Sequence, residues 1–200
     1  MNLTKGIIRK EQIINAANEL FLNQGIASSS IDDITKSVNI AKASFYHYFK
    51  SKEELVKIVV SRKIDEHIEE IEKICKNDSI DFFERLKICL LKFYSMATNS
   101  QWINEVNFGN VSPIQSGLID EFVDRSTKIL GEYMEYGKKI KLVNVTSPQI
   151  VTFIIAHGIK DIWKLDNNVC RNFSDDNHKQ YIELITTIEE MFHIKKGSLL

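Results

Sequence analysis

Two helix-start signatures lie close together near the N-terminus, and they constrain the fold more than any other feature. Ser30-x-x-Asp33 and Ser51-x-x-Glu54 each place a carboxylate three residues after a hydroxyl, the spacing of a capping box. The first opens a helix near residue 31 whose apolar positions Ile31, Ile34 and Val38 fall on one face. Asn39 follows, a residue that tolerates the left-handed backbone that closes a helix and turns the chain. A second short helix then fits Lys42 to Tyr48. Phe45 and Phe49, at i and i+4, face inward, and Lys42, Ala43, Ser44, Tyr46 and His47 occupy the other faces. Ser51 opens a longer helix with Lys52 in its first turn. An ammonium beside the positive end of a helix makes a good phosphate anchor. Two short helices, a tight turn and a polar outer face read as a helix-turn-helix.

The rest of the chain is read from periodicity and punctuation. A first helix is expected over about 7 to 23, with Ile13, Ala17 and Leu20 as its stripe, Ile14 and Phe21 flanking it, and Gly25 closing it. Further helices are expected at about 52–75, 80–98, 118–140 and 148–165, and a last one ends near 194. Ser147-Pro148 is an N-cap followed by proline at the first helical position. Residues 99–117 are the least regular stretch, Asn167 to Asp176 reads as a polar loop, and no strand pattern stands out. Two hundred residues with scarce proline and modest glycine suit an all-α protein with an ample core. Charge is uneven. Residues 1–52 carry seven Lys and Arg against four Asp and Glu, a net of +3, which leaves −4 for the remainder of a chain whose total is −1. A basic head on an acidic body suits a polyanion-binding unit joined to something else.

Several classes are disfavoured. No apolar run approaches the ~18 residues of a membrane span, and Arg9, Lys10 and Glu11 interrupt any apolar secretory core. Cys75, Cys89 and Cys170 have neither metal-site spacing nor a disulfide framework. They read as small buried hydrophobes in a reducing cytoplasm. There is no phosphate loop, nucleophile elbow or His-Glu-x-x-His helix. The expectation is a cytoplasmic non-enzyme without metal or cofactor.

Tyr46-His47-Tyr48-Phe49-Lys50-Ser51-Lys52-Glu53-Glu54-Leu55, together with Phe21-x-x-x-Gly25 upstream, resembles the TetR family of transcriptional regulators over roughly residues 7–56. Asn39, Ala41 and Ala43 depart from its pattern, standing where Gly, a Ser cap and Gly are common. Loss of the cap at Ala41 costs about 1 kcal/mol. The resemblance implies a three-helix DNA-binding head over residues 1–50 and a larger helical domain over 51–200 for effector binding and dimerisation. It implies DNA contact by Ser28, Ser29, Ser30, Lys42, Ala43, Ser44, Tyr46, His47 and Lys52. The segments that line effector pockets in that family hold Trp102, Glu105, Phe108, Phe122, Met134, Phe153, His157 and Trp163 here. Helical spacing nominates Ile150, Phe153, Ile154, His157 and Asp161 on one helix, and Tyr181, Leu184, Ile188, Met191 and Phe192 on the last, for a four-helix dimer interface. The function so implied is a homodimeric repressor on a palindromic operator, released by a small hydrophobic effector. Activation, or a helical adaptor that no longer binds DNA, are the alternatives.

Overall fold

The computed structural model describes residues 2–98, 113–165 and 177–199. The described residues form eight helices and no strand: α1 (Asn2–Gln24), α2 (Ile31–Ser37), α3 (Lys42–Phe45), α4 (Lys52–Cys75), α5 (Phe82–Thr98), α6 (Pro113–Lys139), α7 (Pro148–Leu165) and α8 (Asn177–Met191).

The head forms as its punctuation dictates. Ser30 is extended (φ −102°, ψ 161°). Its hydroxyl accepts from the Asp33 amide at 3.1 Å, and the Asp33 carboxylate accepts from the Ser30 amide at 2.9 Å, so both halves of the capping box are present. After α2, Asn39 adopts φ 51°, and the Ile40 amide donates back to the Thr35 carbonyl at 3.0 Å. Gly25 ends α1 at φ 87°, a backbone that only glycine adopts cheaply. Ala41 has the extended backbone of an N-cap but no side-chain cap bond. Regular α-helix in α3 stops at Phe45, shorter than the expected Lys42–Tyr48. From there the His47 amide bonds the Ser44 carbonyl and the Tyr48 amide the Phe45 carbonyl, a tightened last turn that brings Phe49 beside Phe45. At Ser51 the hydroxyl accepts from the Glu54 amide at 3.3 Å. The Glu54 carboxylate reaches one residue further back than a capping box requires, to the Lys50 amide at 2.6 Å.

One core holds the head together. It contains Ile13, Ile14, Ala17 and Phe21 of α1, Ile34 of α2, Phe45, Phe49, and Leu55, Val56 and Val59 of α4. The head's core therefore extends beyond residue 50 into the first turns of α4. The same helix continues into the body, where Ile64 and Ile68 pack with Phe93, Leu118, Phe122, Val123 and Ala156. A further core joins Phe82 and Leu86 of α5, Tyr133 and Met134 of α6, and Ile185 and Ile188 of α8. Side-chain links reinforce the packing: Arg125 of α6 reaches Asp65 of α4 at 2.7 Å, and Lys160 of α7 reaches Asp120 of α6 at 2.9 Å. The connecting helix α4 is thus one continuous element shared by the cores of head and body, where Ile71 also packs with Cys89 and Leu130.

Candidate nucleic-acid interface

The side chains of α3 and its last turn divide cleanly. Phe45 and Phe49 are essentially fully buried, their ring centroids 5.4 Å apart, whereas Lys42, Ala43, Tyr46 and His47 are exposed and Ser44 is half-buried. The Tyr46 ring stands edge-on to Phe45 at 5.4 Å, which holds its phenol outward. The Lys10 ammonium lies 5.5 Å above the Phe49 ring and so ties α1 to the same site. The result is a short rigid ridge that shows donors to solvent.

Two of its cations are engaged. The Lys42 ammonium pairs with the Asp32 carboxylate at 3.0 Å, across the turn between α2 and α3. That hydrogen bond holds the Lys42 pKa above its ordinary value. Asp32 is a partner of this candidate site that local spacing does not reveal, because the contact depends on the angle between two helices. The Lys52 ammonium donates to the Ile26 carbonyl, clamping the start of α4 onto the loop after α1. An ammonium has three donors, so this clamp leaves others for a phosphate.

The three serines separate. Ser28 is exposed. Ser29 is buried, and its hydroxyl donates to the Gly25 carbonyl at 2.6 Å while also accepting from the Gln24 amide, so it braces the loop instead of facing a ligand. Ser30 spends its hydroxyl on the cap and on Asp33. The resemblance implied DNA contact by all three alike; the capping spacing singled out only Ser30, and burial sets Ser29 apart from Ser28.

A second link joins head to body-forming helix. Arg62 of α4 holds Glu11 of α1 through two hydrogen bonds, at 2.6 and 2.8 Å. The Arg62 guanidinium keeps the Glu11 carboxyl below its usual range. A carboxylate depressed in the folded state contributes stability above its unfolded pKa, and that contribution disappears as pH falls through the folded value. The pair is nearly half exposed, so the contribution is small. Acidification is therefore expected to loosen α1 from α4, read as falling amide protection in α1 after correction for intrinsic exchange. Glu11→Gln should show the lowered protection at neutral pH already. Identical pH profiles for the two proteins would remove this role from the pair.

In the body, a wholly apolar cavity of about 40 Å³ lies among α5, α6, α7 and α8, lined by Leu90, Phe93, Met134, Ile155, Ile159 and Phe192 among others. Of the eight residues nominated for an effector, Met134 lines this cavity. Phe122 packs beside it, stacked on Phe93 at 5.5 Å. Phe153 does not point inward as nominated: it is 53 % exposed on the outer face of α7, stacked on the half-buried His157 at 4.0 Å. Trp102, Glu105 and Phe108 lie outside the described residues, as does the Trp163 side chain.

The expected dimer residues also divide. Ile150 and Ile154 are exposed beside Phe153, and Asp161 and Met191 are exposed too. Ile188 and Phe192 instead fill this chain's own core, with Leu184 packed against it. A helical stripe reports that one face is covered but not by what, and here α5 and α6 cover it. The Tyr181 side chain lies outside the described residues.

Residues 13–59 match the model of the bacterial regulatory proteins of the tetR family. The biofilm operon icaADBC HTH-type negative transcriptional regulator IcaR of Staphylococcus epidermidis is 38% identical over 76 residues, which cover 38% of this chain and 35% of that protein. The chain thus aligns with about a third of the length of that curated relative. Among solved structures, a transcriptional regulator from Cytophaga hutchinsonii superposes with a TM-score of 0.73 at 21% identity, over 91% of this chain and 95% of that one. The transcriptional regulator FadR from Bacillus subtilis, in complex with stearoyl-CoA, gives 0.61 at 19% identity, over 91% and 97%. These structures share the fold along nearly the whole chain. Residues 13–59 thus match the tetR family of regulatory proteins in sequence, and nearly the whole chain shares the fold of these solved structures.

Proposed function

We propose that this protein is a transcriptional repressor that binds a palindromic operator as a homodimer and leaves it when a small apolar effector enters the body. The observation that carries the reading is the ridge at α3: two buried phenylalanines fix it, and Lys42, Ala43, Tyr46 and His47 project from it. A rigid, donor-rich helix of this kind enters the major groove, with its first residues at base edges and flanking donors on phosphate. The negative sign rests on the likeness of the head to IcaR, described as a negative regulator.

A second copy is the natural cover for the outer face of α7. Ile150, Phe153 and Ile154 are each more than half exposed there, a contiguous apolar strip at helical spacing. Two heads held one turn of DNA apart, about 34–36 Å, read a palindrome. The apolar cavity supports an apolar effector. It is too small as it stands for a large ligand, so binding would spread α5 to α8 and, through α4, move the heads. The acyl-CoA in B. subtilis FadR is a precedent in a protein of the same fold. A ligand that prefers the DNA-incompetent state by about 2–3 kcal/mol lowers operator affinity ~30–150-fold.

The test is selection of bound fragments from the source genome with purified protein. A shared palindrome, with half-sites about one helical turn apart and binding lost in Lys42→Ala, is the expected result. Lys52→Ala should weaken binding to all sequences and shallow the salt dependence by about one ion. Asp32→Asn should do the opposite of Lys42→Ala. It frees the Lys42 ammonium and removes an anion from the ridge, so affinity rises several-fold, most at low salt, and the gain vanishes in the Asp32→Asn, Lys42→Ala pair. Unchanged affinity in Asp32→Asn would sink the role of Lys42 at the DNA. Absence of any enriched fragment from a folded, ligand-stripped dimer would sink the repressor reading.

A further inference from the structure

Nothing in the DNA-binding reading uses Cys75 and Cys89. Their sulfurs lie 3.7 Å apart, with Cys75 in the last turn of α4 and Cys89 on the facing side of α5. The two differ in access. Cys89 is fully buried, whereas Cys75 lines a solvent-open cavity of about 400 Å³ whose walls include Arg85, Glu132 and Tyr133. The Arg85 side chain is 94 % buried at the wall of that cavity, and one of its Nη atoms donates to the Cys75 carbonyl at 2.9 Å and to Asp78 at 3.0 Å. Its Nε has no partner. A buried guanidinium is fixed beside a half-buried thiol, and a second thiol stands directly behind the first.

We propose that Cys75 and Cys89 form a peroxide-reactive dithiol, with Cys75 the attacking sulfur and Cys89 the resolving one. The Cys75 thiolate attacks one oxygen of a hydroperoxide and breaks the O–O bond. The sulfur becomes a sulfenic acid, and the other oxygen leaves as an alkoxide that takes a proton, giving an alcohol, or water where the oxidant is hydrogen peroxide. The Cys89 sulfur then attacks the Cys75 sulfur. An S–S bond forms, hydroxide is expelled, and with the Cys89 proton it departs as water. The two thiols lose two electrons and the peroxide gains them.

Polarity supports this order. The hydrogen bond from Cys89 and the charge of Arg85 lower the Cys75 pKa, while Cys89 is pushed well up by the shared hydrogen bond and by burial. The attacking thiol of an oxidation-sensitive pair needs thiolate character and access, and the resolving thiol needs neither. Closure brings the sulfurs from 3.7 Å to about 2.05 Å, so the product bonds the last turn of α4 to α5.

The test is peptide mapping of the full chain after treatment with hydrogen peroxide and alkylation of the remaining thiols. The expected product is the tryptic peptide 74–76 joined to the peptide 88–92, lighter by two hydrogens than their sum. Dithiothreitol should separate them. In Cys89→Ala the resolving sulfur is gone, and Cys75 should accumulate as a dimedone-trapped sulfenic acid. Recovery of both peptides reduced and separate from the wild-type protein overturns the proposal, as does Cys75 joined to Cys170. A Cys89→Ala protein in which Cys75 traps no dimedone overturns the assignment of Cys75 as attacker. The wild-type map stands whether or not that variant folds.

Discussion

Phe45→Ala is expected to lower the unfolding free energy by about 3–5 kcal/mol, the range for a large aromatic removed from a closed core. Phe45 is fully buried where α1, α2, α3 and α4 meet, and its ring packs against Phe49 at 5.4 Å. It is also the only residue of the four-residue α3 that is buried. Its removal therefore deletes the attachment of the ridge as well as a share of the core. A helix this short has no stability of its own, so the ridge should become disordered at temperatures where the body is still folded. Urea denaturation followed by helical circular dichroism gives the first effect, and operator binding at a temperature below the main transition gives the second. The control is Tyr46→Ala, which removes an exposed ring from the same turn. It should cost little stability while weakening DNA contact. Equal stability losses in the two variants would show that α3 is not held by Phe45.

Gly137→Ala is expected to destabilise by about 1–3 kcal/mol, the cost of overpacking a filled core. In an open helix the same change stabilises by about 1 kcal/mol, because alanine is the better helix former. Surroundings decide the sign. A Cβ at residue 137 would sit 2.4 Å from Cζ of Phe82 and 2.9 Å from Cγ2 of Val143. Phe82 has no room to retreat, since it is buried, stacked on Tyr133 at 4.6 Å, and its carbonyl accepts from the Tyr133 hydroxyl at 2.8 Å. Gly117, near the other end of α6, would meet nothing within 4 Å. Gly117→Ala should therefore stabilise by about 0.4–1 kcal/mol. Opposite shifts of the urea midpoint in the two variants are the expected result, and a stabilised Gly137→Ala would mean that α5 and α6 are not packed this closely.

The local decisions of the head were legible from its residues. Ser30 with Asp33 and Asn39 specify a start and a stop by chemistry that acts within a few residues, and the structure shows both. Phe45 and Phe49 are both inward, as their i, i+4 spacing leads one to expect, although α3 stops at Phe45 and a tightened turn carries Phe49 to its place. The site was less legible. Asp33 marks Ser30 as the cap, but nothing local separates Ser28 from Ser29, yet only Ser29 is buried and bonded to Gly25, because the loop after α1 folds back on itself. Asp32 lies ten positions from Lys42 and Glu11 lies fifty-one from Arg62, so neither pair follows from local spacing. In the body, the stripes of α7 and α8 both announced a covered face. The structure shows α8 turned into its own core and α7 with Ile150, Phe153 and Ile154 turned out.

By itself the sequence determined that the chain is helical, where α2 and α4 begin, where α1 and α2 stop, and which family its head matches. These depend on caps, turns and periodicity, interactions that span a few residues and do not require the rest of the molecule. Tertiary structure alone decided that Asp32 holds Lys42, that Gly137 admits no methyl group, that one apolar stripe is spent inside while another is shown to solvent, and that Cys75 and Cys89 face each other across two helices. Each of these is set by the distance and angle between helices. That geometry arises from how whole cores fill space, a property of many residues together that no short run of sequence contains.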